Sequence, residues 1–187
     1  MCLTLYTHPM CPFAQKAAIA LHHSFPSSMY QVVDLYNSSG PFPKSSLRAI
    51  ESSFNLTPKG YIPVLVHDNK CLQESDDILD YISTLDSSLS PTNLESHSIV
   101  KSAIKGLPTN TNKPITLLQT LNEIVESSEY LGGYKFSISD CTALPFLQRI
   151  KETHGLEGYD YLELYYSKIS GSDFFKKSVS DEWWWWW

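Results

Sequence analysis

Apolar residues in the first 85 positions occur in short runs that alternate with segments of helical spacing. Residues 61–73 contain two β-prone runs around Asp68-Asn69, a pair typical of a hairpin turn. Residues 75–85 repeat apolar side chains at the spacing of one helix face, with Ser75 as the expected N-cap. The elements that this pattern predicts are, in chain order, a strand at 3–7, a helix at 13–23, a strand at 29–35, a short helix at 46–54, two strands within 61–73 and a helix at 75–85.

The second half of the chain has no strand signals. Residues 86–93, "DSSLSPTN", are polar and rich in turn-forming residues, which indicates a linker. Beyond it apolar residues recur at helical intervals, Ser137 with Asp140 forms a variant of the capping box, and a last helix is expected through residues 159–179. The predicted organisation is an α/β domain at 1–85, the linker at 86–93, a helical domain at 94–180 and a tail at 181–187 that ends in five tryptophans.

Composition and charge exclude several classes of protein. Of the 187 residues, 42% are hydrophobic and 13% aromatic, which favours a folded core over disorder. The formal net charge of −6 argues against a nucleic-acid-binding protein. No apolar run approaches the roughly 20 residues that span a bilayer, so membrane contact is not expected. The first residues do not resemble a secretory signal, and a cytoplasmic location is predicted.

The four cysteines, Cys2, Cys11, Cys71 and Cys141, are widely separated. They form no CxxC pair and no spacing typical of zinc ligands, so no metal site is expected. Four cysteines in a chain of this length are too few for a disulfide scaffold. Reduced thiols are therefore predicted.

Cys11 follows a predicted strand and directly precedes Pro12, which suits the first turn of a helix. A thiol at this position meets the unpaired N–H groups of the first turn and the positive end of the helix dipole. Such an environment stabilises the thiolate and lowers the thiol pKa. A buried, unreactive cysteine is the commoner role, but the strand-turn-Cys-Pro-helix order favours a nucleophile.

For two further segments the residues alone allow both a ligand-binding role and a purely structural one. Pro63 precedes a strand, and its bond to Ile62 is either an ordinary trans bond or a cis bond that exposes the Ile62 backbone to an extended peptide. Glu74 and Ser75 lie where a strand leads into a helix. They either bind the ammonium and carboxylate of an amino-acid-like ligand or serve as a solvated acid and a capping serine.

Three motifs, "CPFAQKA" (11–17), "PKGYIPVL" (58–65) and "QESDDILDYI" (73–82), together resemble the glutathione-binding half of cytosolic glutathione transferases. The nearest groups are the cysteine-type ones, namely the omega and lambda classes and the dehydroascorbate reductases. "GGYKFSISDCTALPFL" (132–147) is similar to the start of the core helix in their helical domain. The resemblance implies a thioredoxin-like α/β N-terminal domain followed by an all-α C-terminal domain, which is shortened here.

The resemblance also implies roles for individual residues. Cys11 matches the catalytic nucleophile that forms a mixed disulfide with glutathione, and Ser137 and Asp140 match a folding cap. The residues that match glutathione-binding positions are Phe13 in the active-site turn, Ile62 and the cis-proline Pro63 for the cysteinyl part, Glu74 and Ser75 for the γ-glutamyl end, and Lys59 for the glycine carboxylate.

The expected function is that of a glutathione-dependent thiol transferase with glutathione as co-substrate and a small-molecule or protein thiol or disulfide as partner. Because Ala14 stands where a second active-site cysteine would lie, a monothiol cycle is expected, with deglutathionylation or dehydroascorbate reduction as the reaction. Two alternatives stay open: a membrane-associating protein like the intracellular chloride-channel proteins, and a non-catalytic glutathione-binding scaffold. A homodimer stays open as well.

Overall fold

The protein is represented by a computed structural model that describes residues 2–8, 10–34, 36–37, 40–41, 44–105, 107 and 113–179. These residues form two compact units. One contains the described residues of Met1–Ile82 and Lys177–Trp187, and the other is Ser83–Lys176. The domain limits predicted from the sequence stay a prediction, and the predicted tail lies outside the described residues.

A mixed sheet forms the centre of the first unit. Its elements are β1 (Leu3–Thr7), α1 (Pro12–Ser24), β2 (Tyr30–Asp34), β3 (Tyr36–Asn37), β4 (Gly40–Pro41), α2 (Lys44–Ser53), β5 (Val64–His67), β6 (Lys70–Leu72) and α3 (Ser75–Leu85), of which α3 continues past Ile82. The four-stranded sheet has the order β2-β1-β5-β6. β1 is parallel to β2 and antiparallel to β5, and β5 and β6 form a hairpin.

The packing of α1 on β1 follows from their side chains. Leu3 and Leu5 are buried and alternate with half-buried residues along β1, as expected for a strand with one better-covered face. Every residue of α1 from position 14 to 21 is buried. Since four of these are alanines, the helix can approach its neighbours closely.

Most predicted elements of this unit are confirmed, with two differences. A short hairpin of β3 and β4 occupies the segment after β2 that was expected to be a loop. Ser75 was wrongly expected to be the N-cap of α3, because the helix begins at Ser75 itself and the Glu74 carbonyl accepts the N–H of Ile78 at 2.9 Å. Asp68 has φ 52°, as the tight turn between β5 and β6 requires.

The second unit is helical. Its elements are a 3₁₀ turn (Ser87–Leu89), α4 (Leu94–Lys105), α5 (Ile115–Ser127), α6 (Ile138–His154), α7 (Asp160–Ser170) and α8 (Asp173–Lys176). α6 is buried over most of its length and packs on α4, while α5 packs on α7. The predicted single helix at 159–179 is wrong: it breaks at Gly171 and Ser172, which are poor helix formers.

The predicted capping box at the start of α6 is confirmed. The Asp140 carboxylate accepts the Ser137 N–H at 2.8 Å, the Leu131 N–H at 2.9 Å and the Tyr165 hydroxyl at 2.7 Å. Burial nevertheless raises the pKa of Asp140 to about 6. The two units confirm the fold class, a thioredoxin-like α/β domain and a helical domain. Within the described part of the chain, no helix combines the length and apolar character needed to cross a bilayer.

Candidate active site

Three segments converge at one end of the sheet. Tyr6 near the end of β1 pairs with Val64 at the start of β5, and Leu65 of β5 pairs with Leu72 at the end of β6. The end of β1, the start of β5 and the end of β6 therefore share an edge. Cys11 follows the end of β1, Ile62–Pro63 precede the start of β5, and Glu74–Ser75 follow the end of β6.

Cys11 occupies the N-cap position of α1, as the sequence predicts. It has an extended backbone, its N–H donates to the His8 carbonyl at 3.0 Å, and its carbonyl accepts the Gln15 N–H at 2.9 Å. The residue is half-buried, and its side chain makes no capping hydrogen bond. The backbone of Cys11 is thus fixed on both sides while the residue keeps contact with solvent.

Lys16, which the sequence interpretation missed, links α1 to the start of α3. Its side chain is buried, and its Nζ lies 3.4 Å from Asp76 Oδ1 and 5.3 Å from the centroid of the Phe13 ring. Phe13 is 49% exposed beside Cys11. Because Asp76 directly follows Ser75, the ion pair connects the helix that begins after Cys11 with the helix that begins at Ser75.

The Ile62–Pro63 peptide bond is cis, as the resemblance implies. Pro63 is buried and Ile62 is half-buried. Neither the N–H nor the carbonyl of Ile62 makes a hydrogen bond to any residue that the structure describes. Ile62 therefore presents a free backbone donor and acceptor at the start of β5.

Lys59 and Glu74 form an ion pair. Lys59 Nζ lies 2.5 Å from Glu74 Oε1, and the two side chains are 38% and 62% exposed. The hydrogen bond to Glu74 raises the pKa of Lys59. Ser75 is only 9% exposed, and its hydroxyl makes no hydrogen bond within the described residues. The structure thus brings Lys59, Glu74 and Ser75 together, although the resemblance assigned Lys59 to the other end of glutathione.

Glu51, at the end of α2, was also missed. It is fully buried, and its carboxylate accepts the Gly60 N–H at 2.8 Å and Gln73 Nε2 at 2.8 Å. Gln73 Nε2 also donates to the Thr57 carbonyl at 2.7 Å. One carboxylate therefore holds the loop that carries Lys59 and the strand end that leads to Glu74. Gly60 has a positive φ of 65°, a conformation that glycine adopts without steric cost.

The comparisons with known proteins agree with this thioredoxin-like arrangement. Residues 5–89 match the family described as "Glutathione S-transferase, N-terminal domain". Over 167 residues the chain is 28% identical to the chloroplastic glutathione S-transferase L2 of Arabidopsis thaliana, covering 79% of this chain and 53% of that protein.

Solved structures share the fold of both units. Glutathione S-transferase-I bound with lactoylglutathione has a TM-score of 0.70 at 18% identity, covering 96% of this chain and 99% of that one. A theta-class enzyme of Xanthomonas axonopodis pv. citri with glutathione bound has a TM-score of 0.67 at 14% identity, covering 97% and 98%.

These matches identify a thioredoxin-like domain followed by a helical domain. Residues 5–89 match the glutathione S-transferase N-terminal domain, and the chain shares the fold of solved glutathione S-transferases. It spans about half the length of the curated relative that it matches.

Proposed function

We propose that this protein is a glutathione-dependent thiol transferase with Cys11 as its nucleophile. The observation that carries the proposal is the position of Cys11. It is half-buried at the start of α1, at the sheet edge that also carries the free Ile62 backbone and the Lys59–Glu74 pair. The dipole of α1 favours a negative charge on its thiol.

The proposed reaction is a thiol–disulfide exchange in two steps. The Cys11 thiolate attacks the glutathionyl sulfur of a mixed disulfide, an S–S bond forms between Cys11 and glutathione, and the substrate leaves as a thiolate. The thiolate of a second glutathione then attacks the same glutathionyl sulfur. Glutathione disulfide leaves and the Cys11 thiolate is regenerated, so the two electrons come from glutathione.

The backbone of Ile62 would pair with the cysteinyl part of the bound tripeptide, because it offers one free donor and one free acceptor in the manner of an added strand. Phe13 would cover the site from the first turn of α1. With Ala14 in place of a second cysteine, the resolving thiol has to come from glutathione. Dehydroascorbate reduction would need a different first step: the Cys11 thiolate adds to a carbonyl of dehydroascorbate, a glutathione thiolate then attacks the Cys11 sulfur, and ascorbate leaves as the Cys11–glutathione disulfide forms. The second step is then the one described above.

The test compares Cys11→Ser with Cys2→Ser. Cys2 is exposed and free, so its variant is a matched control. We expect Cys11→Ser to lose deglutathionylation of a glutathionylated peptide while its far-UV circular dichroism and Tm stay unchanged, and Cys2→Ser to keep both. Full activity in Cys11→Ser would refute the assignment.

The second candidate function is that of a scaffold that binds glutathione without turnover, and the unaltered protein used in the same test distinguishes it from the enzyme. It would bind glutathione in calorimetry and show no transfer with an intact Cys11. The relatives described above give no support to the chloride-channel alternative. A cytoplasmic location and a homodimer stay predictions.

A further inference from the structure

We infer that His8 is a positioning residue for Cys11: its imidazole holds the turn between β1 and α1 and thereby fixes the nucleophile at the start of α1. The inference rests on the proposed function and deepens it, because it names a residue outside the resembling motifs on which the reaction depends. His8 is not proposed to contact glutathione or to take part in the exchange of sulfur bonds.

Two hydrogen bonds to His8 shape this turn. The His8 carbonyl accepts the Cys11 N–H at 3.0 Å, three residues further along, which is the spacing of a β-turn hydrogen bond. The ring of His8 makes the second bond, in which Nδ1 accepts the Met10 N–H at 3.1 Å. His8 therefore binds the chain both at the nucleophile and at the residue before it.

The side-chain bond resembles one that asparagine and aspartate make. Their side-chain oxygen accepts the N–H two residues further along the chain and forms an Asx turn. The Nδ1 atom of a histidine and the Oδ1 atom of an asparagine are both bonded to Cγ, so they lie at a similar distance from the backbone. His8 thus forms a turn of the Asx type with an imidazole nitrogen as the acceptor.

The bond also fixes the tautomer of the ring. Nδ1 accepts a hydrogen bond only when it carries no proton, so a neutral imidazole that makes this bond carries its proton on Nε2. Nitrogen NMR of the imidazole distinguishes the two tautomers. The tautomer of His8 is therefore a signature of the turn that can be measured in the folded protein.

The reactivity of Cys11 depends on this turn because Cys11 is the N-cap of α1. Its backbone has φ −85° and ψ 112°, and its carbonyl accepts the Gln15 N–H at 2.9 Å. A sulfur close to the first turn gains most from the helix dipole and the unpaired N–H groups, because the dipole effect falls off within one turn. A looser turn would spread the Cys11 backbone over other conformations and make its reactive conformation less populated.

The test compares His8→Leu, which removes the acceptor, with His8→Asn, whose side-chain oxygen can accept the Met10 N–H in an Asx turn. His154→Leu is the control, because His154 is also half-buried and lies at the end of α6 in the other unit. Circular dichroism and Tm show whether each variant is folded. The readouts at pH 8 are kcat/KM for deglutathionylation of a glutathionylated peptide and the alkylation rate of Cys11 relative to that of Cys2, measured by peptide mass spectrometry.

We expect His8→Leu to lower both readouts by about two- to tenfold, the effect of losing one uncharged hydrogen bond. His8→Asn should recover most of this loss, and His154→Leu should match wild type. The imidazole of His8 in the wild type should be the Nε2–H tautomer. If His8→Leu does not fold, a wild-type rate in His8→Asn together with this tautomer supports the inference.

The inference is wrong if a folded His8→Leu matches wild type or reacts faster. It is also wrong if His8→Asn is as slow as a folded His8→Leu or much slower than wild type, because the imidazole would then act in a way other than holding the turn. A proton on Nδ1 of His8 in the wild type overturns it as well. If the wild type transfers no glutathione, the proposed function fails and the inference fails with it, an outcome that the wild-type activity alone distinguishes from the others.

Discussion

Replacing Glu51 by Gln should loosen the loop that carries Lys59 without removing any residue of the proposed glutathione site. The wild-type carboxylate accepts one hydrogen bond on each oxygen, from Gly60 and from Gln73. A glutamine has one acceptor oxygen, so its NH₂ group must face one of the two donors. That donor loses its bond to residue 51, whose side chain is fully buried in the wild type; Gln73 would keep its bond to the Thr57 carbonyl, whereas the Gly60 N–H would keep none.

The size of the effect follows from these two bonds. Losing one hydrogen bond to a charged acceptor costs about 1.5–3 kcal/mol, so we expect Glu51→Gln to lower the free energy of unfolding by that amount. Glu51→Ala loses both bonds and should cost about twice as much.

Urea unfolding followed by circular dichroism measures the difference, with Glu126→Gln as a control for the same charge change at an exposed position of α5. Hydrogen exchange of the 57–60 segment reports the local effect, and exchange should quicken at Gly60 in Glu51→Gln. The reasoning is refuted if Glu51→Gln matches wild type within about 0.5 kcal/mol, the range of neutral surface changes, and Gly60 stays protected.

Three further outcomes are expected. Burial raises the pKa of Asp140 from 3.8 to about 6, so the folded state favours the protonated carboxyl. The free energy of unfolding of the wild type should therefore rise by about 3 kcal/mol relative to that of Asp140→Asn as the pH falls from above 6 to below 3.8. Parallel pH profiles of the two proteins in urea unfolding would contradict this. Gly132→Ala should cost about 1–3 kcal/mol, because its Cβ would lie 2.8 Å from Ser139 Oγ, and an unchanged Tm would exclude that clash. Alkylation of the native protein at pH 8 should spare the half-buried Cys71 and the buried Cys141, because desolvation raises the pKa of Cys71 to about 11 and that of Cys141 well above its usual range. Rapid labelling of either cysteine would contradict its raised thiol pKa.

Local chemistry made much of the fold predictable. Within a helix, proline is best tolerated in the first turn, and α1 begins at Pro12. The apolar spacing of residues 75–85 reproduces the limits of α3, and the Ser137–Asp140 pair forms the capping box at the start of α6. Each of these signals depends on residues within one or two helical turns of each other, so it can be read from the sequence alone.

The parts of the site that were missed depend on contacts between distant segments. Glu51 in "RAIESS" has the pattern of a solvated residue on a short helix, and its burial follows from partners 9 and 22 residues away. Lys16 is paired with Asp76, 60 residues further along. The partner of Lys59 was missed for the same reason, because the resemblance supplied a position in the family's motif and not the neighbour that this chain places beside it.

The central claim, that Cys11 is the sulfur that bonds to glutathione, is tested most directly by treating the reduced protein with glutathione disulfide and locating the glutathionyl group by peptide mass spectrometry. Cys2 is an internal control, because it is exposed whereas Cys11 is only half-buried, so access alone favours Cys2. We expect the group on Cys11 well before Cys2 at neutral pH. Modification of Cys2 first, with Cys11 unmodified, would contradict the account.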